Sequence, residues 1–387
     1  MNFTGPIPQT YSSLFFEGLG ANYFLLGVIG FAGSIAIALV QFPGGYLADR
    51  HGRRLLVVVM TYGVALSTFF FIFAPTWQFI ILGVIIQNFC LLYQPAMYAI
   101  MMDSVAPEYR GQGFMFQAVV TNLFALPAAL IAGYLVLMFN LDFGMRIAYA
   151  IVLIGYFIAA TLRIRLKETL PSENVGNFPS FLVVLREYPK SVRESLEVWG
   201  KVPKAVFYLF LTNAGMNSLI VGCQTYFVVY ATSFLHVGMF QWAIVMAFMA
   251  LSISIPSILA GIRMDVTGRK RFLILGFLLF TPAMLIFINA GFYTLLVAFF
   301  LFGLAQMLVV TGYTSLVGDL TPRELRGKVI GCSQFFMYMG QAFASLLVGA
   351  LYAYVAPQTP FILLGIGAIP IAAIAHFTIS DTSAKQV

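Results

Sequence analysis

Gly45-Tyr-Leu-Ala-Asp49-Arg-His-Gly52-Arg53-Arg54 follows one long apolar run, and Gly261-Ile-Arg-Met-Asp265-Val-Thr-Gly268-Arg269-Lys270 follows another. Both read G-x-x-x-D-x-x-G-R-[RK], and Asp265 stands 216 positions after Asp49. A second pair keeps the same step. Asp103…Glu108-Tyr-Arg110-Gly111 and Asp319…Glu324-Leu-Arg326-Gly327 match, with Arg326 again 216 positions after Arg110. One such match is within reach of chance. Two matches, with 61 residues from aspartate to arginine in each copy, mark a duplicated unit.

The surroundings say where these units live. Of 387 residues, 61% are hydrophobic, 16% aromatic and only 9% charged, with mean hydropathy +0.93. A soluble chain carries roughly 25% charged residues, so this one cannot cover its surface with polar groups. A soluble enzyme, a secreted disulfide domain and a disordered chain are excluded, leaving a polytopic membrane protein. Runs such as 55–74, 272–290 and 361–377 are apolar all round, whereas a barrel would alternate. In hydrocarbon only a helix satisfies its backbone within one segment, so these runs are helices. Complete spans are expected at 21–47, 54–74, 77–102, 112–139 and 146–163, then at 204–234, 239–262, 272–290, 292–318, 328–355 and 360–378. Cys90, Cys223 and Cys332 fall inside them at neither metal nor disulfide spacing and read as small buried hydrophobes.

The net charge of +7 is a topology signal rather than a nucleic-acid one. Lysine and arginine cluster at 50–54, 110, 163–204, 263–271 and 323–328 and at Lys385, so one side of the bilayer holds 20 of the 21 basic residues and Arg146 stands alone on the other. Short basic loops stay inside, so that side, with the C-terminus, is expected to be cytoplasmic, and the expected location is the plasma membrane. Between the halves, Leu185, Tyr188, Val192, Leu196 and Trp199 recur at helical spacing, with a restart at Pro189. This segment fits amphipathic helices on the cytoplasmic leaflet or a solvated connector. The expected organisation is an N-terminal bundle at 1–163, a cytoplasmic loop at 164–203 and a C-terminal bundle at 204–387.

With its doubled motif, the chain resembles the major facilitator superfamily of secondary transporters over essentially its whole length. Gly45–Arg54 is similar to the loop between that family's second and third helices, and Gly144-Met-Arg146 is similar to the approach to its sixth. The resemblance implies an all-α integral membrane protein of two pseudo-symmetric six-helix bundles. In that frame the counterpart of 204–234 would begin before Met1, so the first helix is expected to be truncated, with eleven complete spans. An upstream start is the favoured explanation. The resemblance also implies a cytoplasmic gate: Asp49 near Arg110 and the 328–355 helix, Arg53 near Asp103, Asp265 near Arg326, and Arg269 near Asp319. Arg54 and Lys270 extend the basic clusters, Gly45 and Gly261 allow close approach, and Gly52 and Gly268 allow tight turns.

Apart from Glu17, every acidic residue lies at an expected helix end or in a loop. A charge near the bilayer centre costs about 2.5–3.5 kcal/mol, so the expected cavity is neutral. Polar stripes mark its candidates. Asn213, Asn217 and Gln224 share a face, as do Gln334, Tyr338 and Gln341. Gln87 pairs with Gln94, Gln306 with Tyr313, and Gln117 with Thr121 beside Asn122. In the resembled family the first, fourth, seventh and tenth helices line the cavity, with the fifth and eleventh contributing. The competing role for these amides and hydroxyls is helix–helix bonding. Proton coupling would need a titratable group in the pathway, and Glu17 is the acid of the first-helix remnant.

The expectation is a monomer that moves a small molecule by alternating access, without cofactor, metal or nucleic acid. An exporter of hydrophobic or drug-like compounds and a permease for neutral metabolites or sugars both fit. From another class, a polytopic receptor would not require twin gates, and an enzyme should gather His, Asp or Glu at one depth, which the sequence does not do. There is no P-loop for ATP-driven pumping.

Overall fold

Hydrocarbon offers no partner for a free N–H or C=O, and the apolar runs answer by closing their hydrogen bonds internally. The computed structural model describes residues 3–50, 52–105, 110–169, 189, 197–200, 202–321 and 326–379. The order is α1 (Pro6–Gln9), α2 (Ser12–Gly18), α3 (Tyr23–Arg50), α4 (Arg53–Ser67), α5 (Phe69–Ile72), α6 (Trp77–Cys90), a 3₁₀ turn (Leu91–Tyr93), α7 (Gln94–Ser104) and α8 (Arg110–Arg163). A 3₁₀ turn (Glu197–Gly200), α9 (Lys204–Ser233), α10 (Met239–Thr267), α11 (Arg269–Phe287), α12 (Phe292–Leu320), α13 (Arg326–Tyr354) and α14 (Thr359–Thr378) follow. The chain is an all-helical membrane protein, and no strand occurs among the described residues.

Among those residues, nine helices are long and apolar enough to cross a membrane, against the eleven spans expected. Two places make the difference. Leu126–Arg163 is one run of 38 residues, about two bilayer crossings at 1.5 Å per residue. The loop expected at 140–145 shrinks to a turn at Asn140 (φ 61°, ψ 175°), whose side-chain oxygen accepts from the Phe143 amide at 3.1 Å and restarts the helix. The second is α10, a 29-residue helix with no charged residue from Met239 to Ile262, of which the side chains of Met239–Ser254 are described.

The two halves meet along antiparallel helices. Phe24 rests on Tyr354, Phe31 on Phe343, and Tyr338 on the cluster around Ile37, so α3 and α13 run side by side in opposite directions. The end of α3 with Asp49 and the start of α13 therefore share one end of the molecule, hereafter the basic end. Tyr11 and Trp242 bond near the start of α10 at the opposite, far end, so α10 also delivers its motif to the basic end. Cys90, Cys223 and Cys332 are free and buried. Within the second half, the Phe227 ring is surrounded by Phe287, Phe299, Phe302 and Phe361 at 5.3–5.4 Å between centroids, tying α9, α11, α12 and α14 together. Of the expected amphipathic stretch, Pro189 and Trp199 fall inside the described residues. Trp199 packs on Phe207 and Phe210 at the start of α9.

Candidate functional site

Both halves contribute to a cavity of about 540 Å³. Its polar wall is Gln224 and Thr225 of α9, Gln306 of α12, Tyr338 and Gln341 of α13, Asn88 of α6 and Ser34 of α3, with Gln9, Thr10, Ser12 and Ser13 before them. Its apolar wall is Phe16, Trp242, Met246, Met249, Phe299 and Phe302. Among the described lining residues there is no Asp, Glu, Lys, Arg or His. Pockets of about 300–1,000 Å³ with a few convergent polar groups are the size that holds small organic ligands.

The structure gathers Gln224, Gln306, Tyr338 and Gln341 into this wall and turns other expected candidates elsewhere. Asn217 accepts a hydrogen bond from Gln341 at 2.7 Å, and Asn213 contacts the Met337 sulfur at 3.8 Å, so both join α9 to α13 rather than line the space. Gln87, Gln94, Thr121, Tyr313 and Gln334 are not among the lining residues, and the side chains of Gln117 and Asn122 lie outside the described residues. The 3₁₀ turn at Leu91–Tyr93 explains the first pair. A tighter winding there shifts the phase of α7 against α6, so Gln87 and Gln94 do not share one face, while Asn88 of α6 lines the cavity. Asn88, Ser34 and the Gln9–Ser13 segment carry no signal in the sequence because single small polar residues make no stripe.

At the basic end the two motifs build the same turn. Gly52 (φ 95°, ψ 131°) and Gly268 (φ 101°, ψ 126°) both take a backbone conformation that disfavours any side chain, and each starts a helix with arginine. Arg53 then pairs with Asp103, and Arg269 with Asp319, each across 50 residues. Arg54 is exposed and Lys270 half-buried. The side chains of Asp49, Arg110, Asp265 and Arg326, and the surroundings of Gly45 and Gly261, lie outside the described residues. An unanticipated residue joins the Arg53 contacts. Glu168 accepts from the amides of Arg53 (3.2 Å) and Arg54 (2.9 Å), and Thr169 accepts from the Arg53 guanidinium at 3.0 Å. A carboxylate there satisfies free N–H groups and the positive end of the α4 dipole. Glu168 lies just beyond the fifth expected span, 146–163, in a polar stretch with no periodic signal.

At the far end the halves close on each other. Tyr11 donates to Met239 O at 2.6 Å, Trp242 to Thr10 O at 3.2 Å, and Tyr226 to Tyr23 O at 2.8 Å. A Cβ on Gly27 would sit 2.6 Å from the Ser345 carbonyl oxygen and 3.0 Å from the Gly349 Cα, so α3 and α13 touch backbone to backbone. Arg146, the lone basic residue of this end, donates to Ile72 O (2.5 Å) and Ala74 O (2.9 Å) and pairs with Asp142 at 3.1 Å. It thereby closes the carbonyl end of the α4–α5 segment.

A neutral chamber between two helical halves, with close packing at one end and charge pairs at the other, points to a membrane transporter. The family model of the Major Facilitator Superfamily matches residues 3–265 and 235–387, and the chain belongs to that family of secondary transporters. Among known proteins it is similar to a "Na(+), Li(+), K(+)/H(+) antiporter" of Planococcus maritimus, 23% identical over 377 residues, covering 88% of this chain and 84% of that one. The fold is also that of the human organic anion transporter MFSD10 (TM-score 0.68, 17% identity, 95% of this chain and 89% of that one). It likewise matches a POT family transporter in complex with 5-aminolevulinic acid (0.76, 14%, 97% and 93%) and the nucleoside transporter NupG (0.72, 15%, 98% and 97%).

Proposed function

We propose that this protein exports a small, uncharged or amphipathic organic molecule by alternating access, with the shared cavity as its binding site and the basic end on the cytoplasmic side. The observation that carries this is the lining. Amides and hydroxyls on one wall face aromatic and methionine side chains on the other, without an Asp, Glu, Lys, Arg or His among the described lining residues. Such a wall orients a neutral solute through Gln224, Gln306 and Gln341 and accommodates varied apolar shapes through the pliable Met246 and Met249. Desolvating a metal cation there would leave it without an anionic partner, which weighs against carrying over the cargo named for the Planococcus maritimus relative. The Arg53–Asp103 and Arg269–Asp319 pairs suit a cytoplasmic latch because they can break and re-form as the 1–163 and 204–387 bundles rock.

The test is flux in proteoliposomes containing the full chain, with and without a pH gradient. Radiolabelled neutral aromatic compounds, sugars, nucleosides, Na⁺ and K⁺ serve as cargoes. Movement of the aromatic compounds, lost in Gln341→Leu, is the expected result. Uptake of a sugar or nucleoside alone would replace the exporter with a permease, and exchange of Na⁺ or K⁺ for protons alone would overturn the neutral cavity as the cargo site.

A further inference from the structure

The two halves do not furnish the cavity equally. Its aromatic seat is a set of second-half rings already locked to one another. Trp242 meets Phe299 at 5.2 Å between centroids, and Phe227 meets Phe299 and Phe302 at 5.4 and 5.3 Å, all three pairs edge to face. The Trp242 indole is held further by its bond to Thr10 O at 3.2 Å. Rings wedged together in this way keep their places when a ligand arrives, so the seat for a flat apolar body is preformed.

The second half also brings the hydrogen-bonding groups of the deeper chamber. Gln224 comes from α9, Gln306 from α12 and Tyr338 from α13, three helices converging on one space. None of these three has a hydrogen-bond partner among the described residues, whereas Gln341 is committed to Asn217 at 2.7 Å. Pro8, Cys90 and Ala125 stand 216 positions before Gln224, Gln306 and Gln341, so the duplication that repeats the basic-end motif does not repeat these amides. In the first half, α3 offers Leu26, Ile29, Gly30, Gly33 and Ile37 beside Ser34, and the Asn88 amide bonds its own helix at Val84 O (2.9 Å).

We propose that the cargo is an uncharged, flat aromatic molecule carrying several hydroxyl groups, seated on these rings and read by Gln224, Gln306 and Tyr338. The inference rests on the reading of this cavity as the cargo site and narrows its cargo to aromatic polyols. An amide carbonyl only accepts, an amide N–H only donates, and a phenol does both. Gln224 and Gln306 therefore call for donors as well as acceptors, and a ketone, an ether or a bare hydrocarbon brings no donor. A hydroxyl brings both on one atom and adds no charge to a chamber without an Asp, Glu, Lys, Arg or His among its described lining residues. A cargo lacking hydroxyls would close the chamber over unmet polar groups, and a site built this way rejects such an analogue.

Catechin and flavan share one ring skeleton, and only catechin carries hydroxyls. Equilibrium dialysis against nanodiscs holding the full chain, with empty nanodiscs subtracted, gives a Kd for each. Catechin should bind at least about tenfold more tightly than flavan. Tyr338→Phe and Gln306→Leu should each weaken catechin by roughly fivefold to tenfold without weakening flavan. Ser34→Trp, which fills the chamber from α3, should abolish binding of both. If flavan binds as tightly as catechin and Ser34→Trp removes both, the polyol class is overturned and the cavity stands as the cargo site. Failure of catechin to bind wild type, or equal effects of Tyr338→Phe and Gln306→Leu on the two compounds, overturns the class as well. If a folded Ser34→Trp protein binds both as wild type does, the cavity reading itself is refuted.

Discussion

Replacing Gly27 by alanine adds one methyl group at the tightest contact between the two halves. The new Cβ would lie 2.6 Å from Ser345 O, 3.0 Å from Gly349 Cα and 3.1 Å from the Tyr226 hydroxyl oxygen. Two of these neighbours are backbone atoms of α13, which cannot rotate away, so the helices must separate. Overpacking of this kind costs roughly 1–3 kcal/mol. The cost falls on the closed far end alone, since the open end has no such contact, and it translates into a roughly 5–150-fold rise in the open fraction. A cysteine at Ser345, which is 4% exposed, reports this through its reaction rate with a membrane-impermeant maleimide. The three native cysteines are buried and give little background. Gly215→Ala is the control, because its Cβ would find only Ile371 Cδ1, at 3.8 Å. The reasoning is refuted if Gly27→Ala leaves the labelling rate of a folded protein unchanged, or if the control raises it equally.

Glu168→Ala strips the acceptor from two amides at the start of α4 and should lower stability by about 0.5–2 kcal/mol, read as a reduced Tm in detergent, with Glu168→Gln falling between. Arg146→Ala leaves Ile72 O and Ala74 O without their donors at a half-buried site and should cost about 1–3 kcal/mol; Arg146→Lys recovers only part, as one ammonium cannot replace the fork. Gln341→Leu removes a cavity amide and the Asn217 partner together, so it should weaken binding of a transported solute about tenfold, measured by isothermal titration, while leaving the labelling rate of the cysteine at Ser345 alone.

Helix placement was legible because the apolar runs and the repeat offset both set it. The Arg53–Asp103 and Arg269–Asp319 contacts were implied by the family resemblance that the doubled motif carries. What escaped has a common physical cause. Asn140 makes a turn in a single residue, so the sequence shows a loop where the chain is almost continuous helix. The 3₁₀ turn after Cys90 resets the helical phase, and no hydrophobic pattern announces it, so Gln87 and Gln94 read as one stripe. Glu168 acts through backbone amides that belong to another segment of the chain, a relation invisible to periodicity. The far-end seam depends on Gly27 meeting Gly349 across 322 residues, which only the packed halves reveal.

The most direct test of two halves alternating about one chamber uses a cysteine at Ser34, on the cavity wall of α3, in oriented membrane vesicles. A membrane-impermeant thiol reagent is supplied first from one side and then from the other. Labelling from both sides, with cargo or the Gly27→Ala wedge shifting the balance between them, is the predicted result. Labelling confined to a single side in wild type and wedge alike would contradict the account.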